Sequence, residues 1–165
     1  MLFRSFPMSM SKILEHVNFS QVGFVVHDIE KTKQVYAALF GVEPPPTSTG
    51  GEYEVTRCSV AGRPAPDAKC KLAFFDLRPG VQLELIEPNE APSVWRDILN
   101  EQGEGIHHIA FNVDDTDAVV KVLTEEYGAV VEQHGIYGDG SGQYTYLNAQ
   151  ENLKCRIELL ESFRK

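Results

Sequence analysis

The chain has 165 residues, a formal net charge of −9, 42% hydrophobic residues and 24% charged residues. This length and composition suit one globular domain with its own core, and the excess of acidic residues disfavours nucleic acid and anionic membranes as partners. The cysteines Cys58, Cys70 and Cys155 are odd in number and lack close metal-type spacing, so we expect a reducing, cytoplasmic location and a small-molecule partner.

We expect no targeting signal in the first residues. Their apolar stretch is broken by Ser and Pro and is too short for a signal peptide or a membrane span. We expect residues 1–18 to be an N-terminal extension, either loose or with a short helix, and we assign a surface position to His16.

An internal repeat organises the rest of the chain. The segment QVGFVVHDIEKTKQVYAALFGV, which starts at Gln21, aligns without gaps with HIAFNVDDTDAVVKVLTEEYGA, which starts at His108. Each copy begins with alternating apolar residues, passes an acidic turn and continues as an amphipathic pattern closed by glycine. This pattern predicts a strand followed by a helix, the helices covering roughly residues 30–40 and 116–127.

The two copies also end alike, with VQLELIE at residues 81–87 and CRIELLE at 155–161, so that Glu84 and Glu158 occupy the same position. Between helix and last strand, the first copy offers EYEVTRCSV and KCKLAFFDL as strands. The second copy offers strands at about 129–134 and 143–148, around the hairpin turn YGDGSG.

Each half is therefore predicted to be a βαβββ module, the first over residues 19–88 and the second over 105–165. Residues 89–104 connect them and contain a short helix around 93–100. The expected fold class is α+β, with two tandem modules that form one curved eight-stranded mixed sheet. Helices are expected on its outer face and a cleft on its concave side.

Strand alternation predicts which side chains share the cleft. In each first strand the apolar residues face the helix, which leaves Gln21 and His108 on the cleft side. In each last strand the aliphatic residues face the helix, which leaves Glu84 and Glu158 on the cleft side. The same alternation places His107 on the opposite face, as a packed histidine or one that supports a ligand.

Two carboxylates in one cleft need a compensating cation. Gln21, Glu84, His108 and Glu158 offer three oxygen ligands and one imidazole, a set that suits a six-coordinate divalent ion with positions left for water or substrate. We predict one divalent metal ion per chain, Zn, Ni, Co or Mn. The alternatives are that either glutamate is an ordinary exposed strand residue and that Gln21 only forms hydrogen bonds.

With GEGIHHIAFNVDD, LELIEP and CRIELLE, the repeat resembles the vicinal oxygen chelate superfamily, which includes glyoxalase I and methylmalonyl-CoA epimerase. The resemblance covers about residues 19–161 and implies that the same four residues hold the metal. The Gln, Glu, His, Glu set is similar to eukaryotic-type glyoxalase I, whereas the connection SVWRDILNEQGEGIHH is more similar to the epimerases. A homodimer is expected.

The resemblance implies a metal-dependent isomerase, lyase or epimerase that transfers a proton through a metal-stabilised enediolate of a small carbonyl or thioester substrate. We expect Glu158 to shuttle the proton, with Glu84 as the second catalytic carboxylate and Glu54, on a predicted strand, as another candidate base. The candidate contacts for an anionic part of the substrate are Arg57, Arg63, Lys69, Lys71 and Arg156.

Two other functions occur on this fold. Extradiol dioxygenases of the superfamily bind iron with two histidines and one glutamate, and this chain retains only His108 of that histidine pair. Resistance-type proteins bind small molecules without catalysis, and they usually lack the acidic ligands that Glu84 and Glu158 would provide. Both remain as alternatives.

Overall fold

The computed structural model describes residues 17–163, so the predicted extension, including His16, lies outside the described residues except for Val17 and Asn18. No helix among the described residues is long and apolar enough to cross a membrane. In chain order the elements are β1 (Val17–Val25), α1 (Ile29–Phe40), β2 (Ser48–Thr49), α2 (Tyr53–Thr56), β3 (Ser59–Val60), β4 (Arg63–Pro64), β5 (Cys70–Arg78), β6 (Val81–Pro88), α3 (Val94–Gln102), β7 (Gly105–Val113), α4 (Thr116–Tyr127), β8 (Val130–Ile136), β9 (Gly142–Asn148), α5 (Gln150–Leu153) and β10 (Arg156–Ser162).

The strands of this range form one mixed sheet of ten strands in the order β2-β5-β6-β1-β7-β10-β9-β8-β3-β4. Strands β1 and β6 are parallel, as are β7 and β10, and the two modules meet through the antiparallel pair β1–β7. The predicted α+β class with two tandem modules in one curved sheet is confirmed. The two additional strands are the two-residue segments β2 and β4.

Helices α1 and α4 cover the outer face, as the repeat predicts. Asp28 and Asp115 cap them by accepting hydrogen bonds from backbone N–H groups, and Gly41 and Gly128 end them with positive φ angles of 69° and 65°. Aliphatic residues of the last strands pack beneath these helices, which fixes the face on which their polar neighbours lie. These packed residues are Leu83 and Leu85 under α1, and Ile157 and Leu159 under α4.

Helix α3 lies on the other face of the sheet, where the cleft is. Ser93 caps its N-terminus, and its apolar side packs onto residues whose alternation points them into the cleft. The outer face is already covered by α1 and α4, so the apolar side of α3 is buried against the concave face instead. The residues in contact are Trp95, Ile98 and Leu99 of α3 with Val25, Ile86 and Tyr146 of the sheet.

The second strand of the first module is broken. The strand predicted over EYEVTRCSV is wrong for its first half, because residues 53–56 form helix α2 and only Ser59–Val60 extend as β3. Strand β2 pairs with β5, whereas β3 pairs with β8 of the second module. Residues 50–58, here called the crossing segment, therefore pass from one edge of the sheet to the other.

The crossing segment contacts the hairpin between β8 and β9 through glycine backbones. A Cβ at Gly51 would lie 2.5 Å from the Cα of Gly138, and Gly51 has a φ of 101°. Only glycine permits this close approach with that backbone conformation. The glycine-rich turn is a hairpin turn, as predicted, and its contact with the crossing segment forms part of the cleft wall.

Candidate metal centre

Three of the four predicted ligands meet in the middle of the sheet. Strands β6, β7 and β10 carry Glu84, His108 and Glu158, and one ligand atom from each lies within 4.8 Å of the others. The Nε2 atom of His108 is 2.9 Å from Oε2 of Glu158 and 3.3 Å from Oε2 of Glu84. Their exposed fractions are only 5%, 1% and 3%, in the order of the sequence. We call these three residues the donor set.

The pKa values of Glu84 and His108 depend on the charges of the other members of the donor set. Burial raises the pKa of the Glu84 carboxyl, with His108 opposing the rise. Burial alone would lower the pKa of His108, but the carboxylates of Glu158 and Glu84 outweigh it and raise this pKa to about 10. A protonated imidazole therefore compensates the carboxylates at neutral pH when no metal ion does so.

The donor set fits a divalent cation. Although their atoms converge, Oε2 of Glu84, Nε2 of His108 and Oε2 of Glu158 have no well-formed hydrogen bond within residues 17–163. Buried polar atoms without such bonds are costly, and an ion among them would satisfy all three at once. One imidazole nitrogen and two carboxylate oxygens are ordinary ligands for zinc and for manganese, cobalt or nickel.

Gln21 lies beside the donor set, with its amide nitrogen already bonded. Its Nε2 donates to Oε1 of Gln82 at 3.0 Å, and Nε2 of Gln82 donates in turn to Oδ1 of Asp76 at 2.8 Å. This hydrogen bond uses the amide nitrogen of Gln21 and leaves its oxygen as the atom available to a ligand. Gln21 lines the same cavity as Glu84 and Glu158.

His107 lies on the same face as His108, so the alternation prediction for this residue was wrong. The register passes from Gly23 opposite His108 to Phe24 opposite Ile106, which leaves His107 as the additional residue of a β-bulge. Its Nδ1 lies 3.0 Å from Nδ1 of His108. The alternating apolar pattern contains no signal for a bulge.

Gly23 is a site residue that the sequence analysis missed. A Cβ built on Gly23 would lie 2.0 Å from Cε1 of His108, so the imidazole occupies the space that any larger side chain would fill. Gly23 is paired with His108 across β1 and β7. Its position on the cleft face was predictable, but its contact with His108 depends on the register between the modules.

A cavity of about 730 Å³ adjoins the donor set. One wall is aromatic, formed by Trp95, Tyr144 and Tyr146 with ring centroids between 5.6 and 6.1 Å apart. Burial raises the pKa values of Tyr144 and Tyr146, so both hydroxyls keep their protons near neutral pH. The crossing segment and the hairpin residue Gly138 line the cavity at its far side.

Most of the predicted anion contacts are engaged elsewhere. The guanidinium of Arg57 lies over the ring of Tyr53, 5.8 Å from its centroid. Of the five predicted cations, only Lys69 lines the cavity in the described part of the chain. Ion pairs occupy Lys69 with Glu52 (2.8 Å), Lys71 with Glu87 (2.6 Å) and Arg156 with Glu132 (2.7 Å).

Known proteins resemble this chain in sequence and in structure. The family model of the glyoxalase/bleomycin resistance protein/dioxygenase superfamily matches residues 20–146. The uncharacterized protein YqjC of Bacillus subtilis (strain 168) is 28% identical over 95 residues, which are 58% of this chain and 67% of that protein.

Among solved structures, methylmalonyl-CoA epimerase from Mycobacterium tuberculosis superposes with a TM-score of 0.60 at 20% identity, covering 89% of each chain. A variant of the Streptomyces coelicolor methylmalonyl-CoA epimerase in complex with 2-nitronate-propionyl-CoA gives a TM-score of 0.60 at 24% identity, covering 90% of this chain and 99% of that one. At these identities the structures show a shared fold.

Proposed function

Because the chain belongs to the glyoxalase/bleomycin resistance protein/dioxygenase superfamily, we propose that it is a metal-dependent isomerase or lyase that moves a proton beside a carbonyl or thioester group. The observation that carries this proposal is the convergence of Glu84, His108 and Glu158 within 4.8 Å. Both carboxylates face a cavity large enough for a small-molecule substrate.

Each residue of the site has a distinct role in this proposal. A bound divalent ion supplies Lewis-acid stabilisation of the negative charge that develops on the substrate when the proton leaves. His108, Glu84 and Glu158 would hold the ion, and Gln21 would offer its amide oxygen. Glu158, released from the ion or held loosely by it, would accept the proton from the substrate carbon and return it. Tyr146 lies opposite Glu158 in the pairing of β9 with β10 and lines the same cavity.

Glu54 is not retained as a candidate base. Its side chain is exposed on helix α2, whereas Glu84 and Glu158 line the cavity. A general base must come within hydrogen-bonding reach of the proton that it removes. The two buried carboxylates meet that requirement for a substrate bound in the cavity.

The substrate class follows from the cavity wall and the superfamily. We propose a small carbonyl or thioester compound with two neighbouring oxygens directed at the ion and an apolar part against Trp95 and Tyr144. A solved neighbour of this chain is methylmalonyl-CoA epimerase in complex with methylmalonyl-CoA, which puts acyl thioesters among the compounds to be tested. Glutathione adducts of 2-oxoaldehydes are the second group.

The iron dioxygenase alternative is less favoured by the ligand set. The facial triad of such iron sites contains two imidazoles and one carboxylate. Here the donor set contains one imidazole, and Nδ1 of the neighbouring His107 is directed at His108. Catalysis rather than passive binding is favoured by the two carboxylates, because a merely apolar binding pocket does not need them.

The test combines metal titration with proton exchange. The protein is freed of metal, titrated with zinc, nickel, cobalt and manganese, and incubated in deuterated buffer with 2-hydroxyacyl thioesters and 2-oxoaldehyde adducts. We expect one ion per chain and metal-dependent exchange of the substrate α-proton, followed by NMR. Absence of binding by any ion, or of exchange with every compound, would overturn the proposal, and oxygen uptake with iron would favour the dioxygenase.

A further inference from the structure

We propose that His107 is a positioning residue, which holds the imidazole of His108 in the orientation and tautomer that present Nε2 to the metal ion. The inference rests on the metal site proposed above and adds a residue to it. Its basis is the contact between the two rings, whose Nδ1 atoms are 3.0 Å apart. At this distance one nitrogen must carry a hydrogen and the other must accept it.

The surroundings of His107 determine which nitrogen donates. The Nε2 atom of His107 lies 3.4 Å from the carbonyl oxygen of Val94, and a carbonyl oxygen can only accept. In the neutral ring the hydrogen therefore lies on Nε2, which leaves Nδ1 of His107 as an acceptor. His108 then donates from its own Nδ1, and its Nε2, which faces Glu84 and Glu158, is the nitrogen that binds the ion once the ion has displaced its hydrogen.

His107 is itself held on several sides. Its ring lies edge-on to Tyr146, with centroids 5.2 Å apart, and only 4% of the residue is exposed. Val94, which faces its Nε2, donates its backbone N–H to Oε1 of the buried Gln133 at 2.9 Å. The orientation of His108 is thereby tied to the first turn of helix α3 and to strand β8.

The β-bulge makes this arrangement possible, and its counterpart in the first module lacks an imidazole. Strand β1 has a matching irregularity between Phe19 and Gln21, where Ser20 takes the place that His107 has in β7. The short side chain of Ser20 cannot reach a neighbouring ligand as a histidine ring does. We infer that the support for the ligand is specific to His108. Supporting partners of metal-bound histidines typically contribute a factor of about 10 to 100 in metal affinity.

The first experiment uses the unaltered protein labelled with ¹⁵N in its histidine rings. The chain has five histidines, so ring nitrogen signals are few and can be assigned with single substitutions. In the zinc-loaded protein we expect His108 to carry its hydrogen on Nδ1 and to bind zinc through Nε2. We also expect an NMR scalar coupling between the two Nδ1 atoms across the hydrogen bond from His108 to His107. Zinc on Nδ1 of His108 would overturn the proposal without any variant.

The second experiment compares His107→Phe, which keeps a ring but removes the acceptor, with His107→Gln, which retains one. We expect the zinc dissociation constant to rise about 10- to 100-fold in the phenylalanine variant and to recover partly in the glutamine variant. His134→Phe is the matched control, because His134 contacts Thr145 outside the donor set. The zinc affinity of this variant should equal that of the unaltered protein.

These outcomes separate the positioning role from the site itself. If the unaltered protein binds no zinc, the metal site is wrong. If it binds zinc and the His107→Phe variant binds with equal affinity and an unchanged His108 tautomer, the site stands and the positioning role is wrong. Equal losses in His107→Phe and His134→Phe would also contradict the role, because they would indicate general destabilisation.

Discussion

The two modules share a fold but contribute differently to the site. The second module supplies His108 and Glu158, and its four strands follow one another in the sheet without interruption. The first module supplies Gln21 and Glu84, but its second strand is broken and the chain crosses to the far edge of the sheet. The second module thus contributes its residues from an uninterrupted set of strands, and the first contributes, besides Gln21 and Glu84, the crossing segment that lines the cavity.

The residues paired across the module interface show the same difference. His108 is opposite Gly23, and Gln21 is opposite Ala110. The imidazole fills the space beside Gly23, whereas the Gln21 amide is compatible with a methyl group opposite it. The His108 ring thus lies between His107 on its own strand and Gly23 on the next. Among the described residues, the side-chain hydrogen bond given for the Gln21 amide is the one to Gln82.

The largest effect on metal affinity should come from removing the imidazole of His108. His108→Ala is expected to weaken metal binding by more than about 100-fold, because a lost ligand costs more than a lost supporting partner. Gln21→Ala should weaken it much less, and His107→Ala should fall between the two. Calorimetric titration of the metal-free proteins measures all three. Equal losses for His108→Ala and Gln21→Ala would contradict the asymmetry between the modules.

Substitutions of the two carboxylates are expected to reduce different properties, proton exchange for Glu158 and metal affinity for Glu84. Glu158→Gln keeps the size of the side chain but removes its basicity, so α-proton exchange should fall at least about 100-fold while some metal binding remains. Glu84→Gln should lose metal affinity first, and excess ion should partly restore exchange. Both variants are compared at saturating metal. Undiminished exchange in metal-saturated Glu158→Gln protein would remove this residue from the chemistry.

Gly23→Ala tests the contact between the modules. The new methyl group would have to displace the His108 ring, and we expect a loss of about 1 to 3 kcal/mol in the free energy of unfolding together with weaker metal binding. Ala110→Gly is the matched change on the other strand and should cost about 1 kcal/mol with little effect on metal affinity. Urea unfolding and zinc titration measure both quantities. Equal metal affinities in the two variants would contradict the role of Gly23.

Metal affinity should depend on pH through His108. Its pKa of about 10 in the metal-free protein exceeds the unfolded value of about 6.5, so its stabilising contribution is complete below pH 6.5 and is lost as the pH rises through about 10. The ion replaces that proton. We therefore expect release of about one proton per ion at pH 8 and affinity that rises up to about tenfold per pH unit. Titration in buffers of different ionisation enthalpy measures the release, and metal uptake without it would be inconsistent with a protonated His108.

The fold and the convergence of Glu84, His108 and Glu158 could be predicted because they depend on local patterns repeated in the chain. Alternation in VQLELIE and CRIELLE assigns Glu84 and Glu158 to the face opposite the leucines, and the alignment of the copies adds His108. These features need only the period of a strand and the burial of its apolar side. The helices followed from the same reasoning, together with their aspartate and glycine caps.

The remaining features depend on pairing between distant segments. The bulge at His107 exists because β1 and β7 are offset by one residue there, and nothing in GIHHIAF marks it. The crossing segment departs from its own module because β3 pairs with β8. Local strand propensity over residues 52–60 therefore predicted the wrong structure for residues 53–56, which form α2. The contact between Gly51 and Gly138 arises from that same long-range arrangement.

The smallest expected effects concern stability and arise from a pair of carboxylates that the repeat places just beyond the ligands. Glu87 and Glu161 accept hydrogen bonds from the first N–H groups of α1 and α4, at 2.8 Å from Ile29 and 2.9 Å from Thr116. Glu87 also pairs with Lys71, whereas Glu161 also accepts from the Gln143 amide. Burial opposes ionisation of Glu161, but its bonds with Thr116 and Gln143 outweigh this and lower its pKa.

We expect Glu161→Ala to lower the free energy of unfolding by about 1 kcal/mol, as the loss of a helix N-terminal partner does. Because the folded pKa of Glu161 lies below its unfolded value of about 4.3, its contribution is present above that pH and is lost as the pH falls through the folded pKa. The difference between wild type and Glu161→Ala should therefore be constant from pH 6 to 8 and shrink on acidification below about pH 4. Glu87→Ala should cost more, since it also leaves Lys71 without its carboxylate, and its cost should fall with added salt. Urea unfolding at a series of pH and salt values gives both comparisons. A Glu161→Ala difference that persists undiminished at pH 3 would show that packing, rather than the charged hydrogen bond to Thr116, is what this side chain contributes.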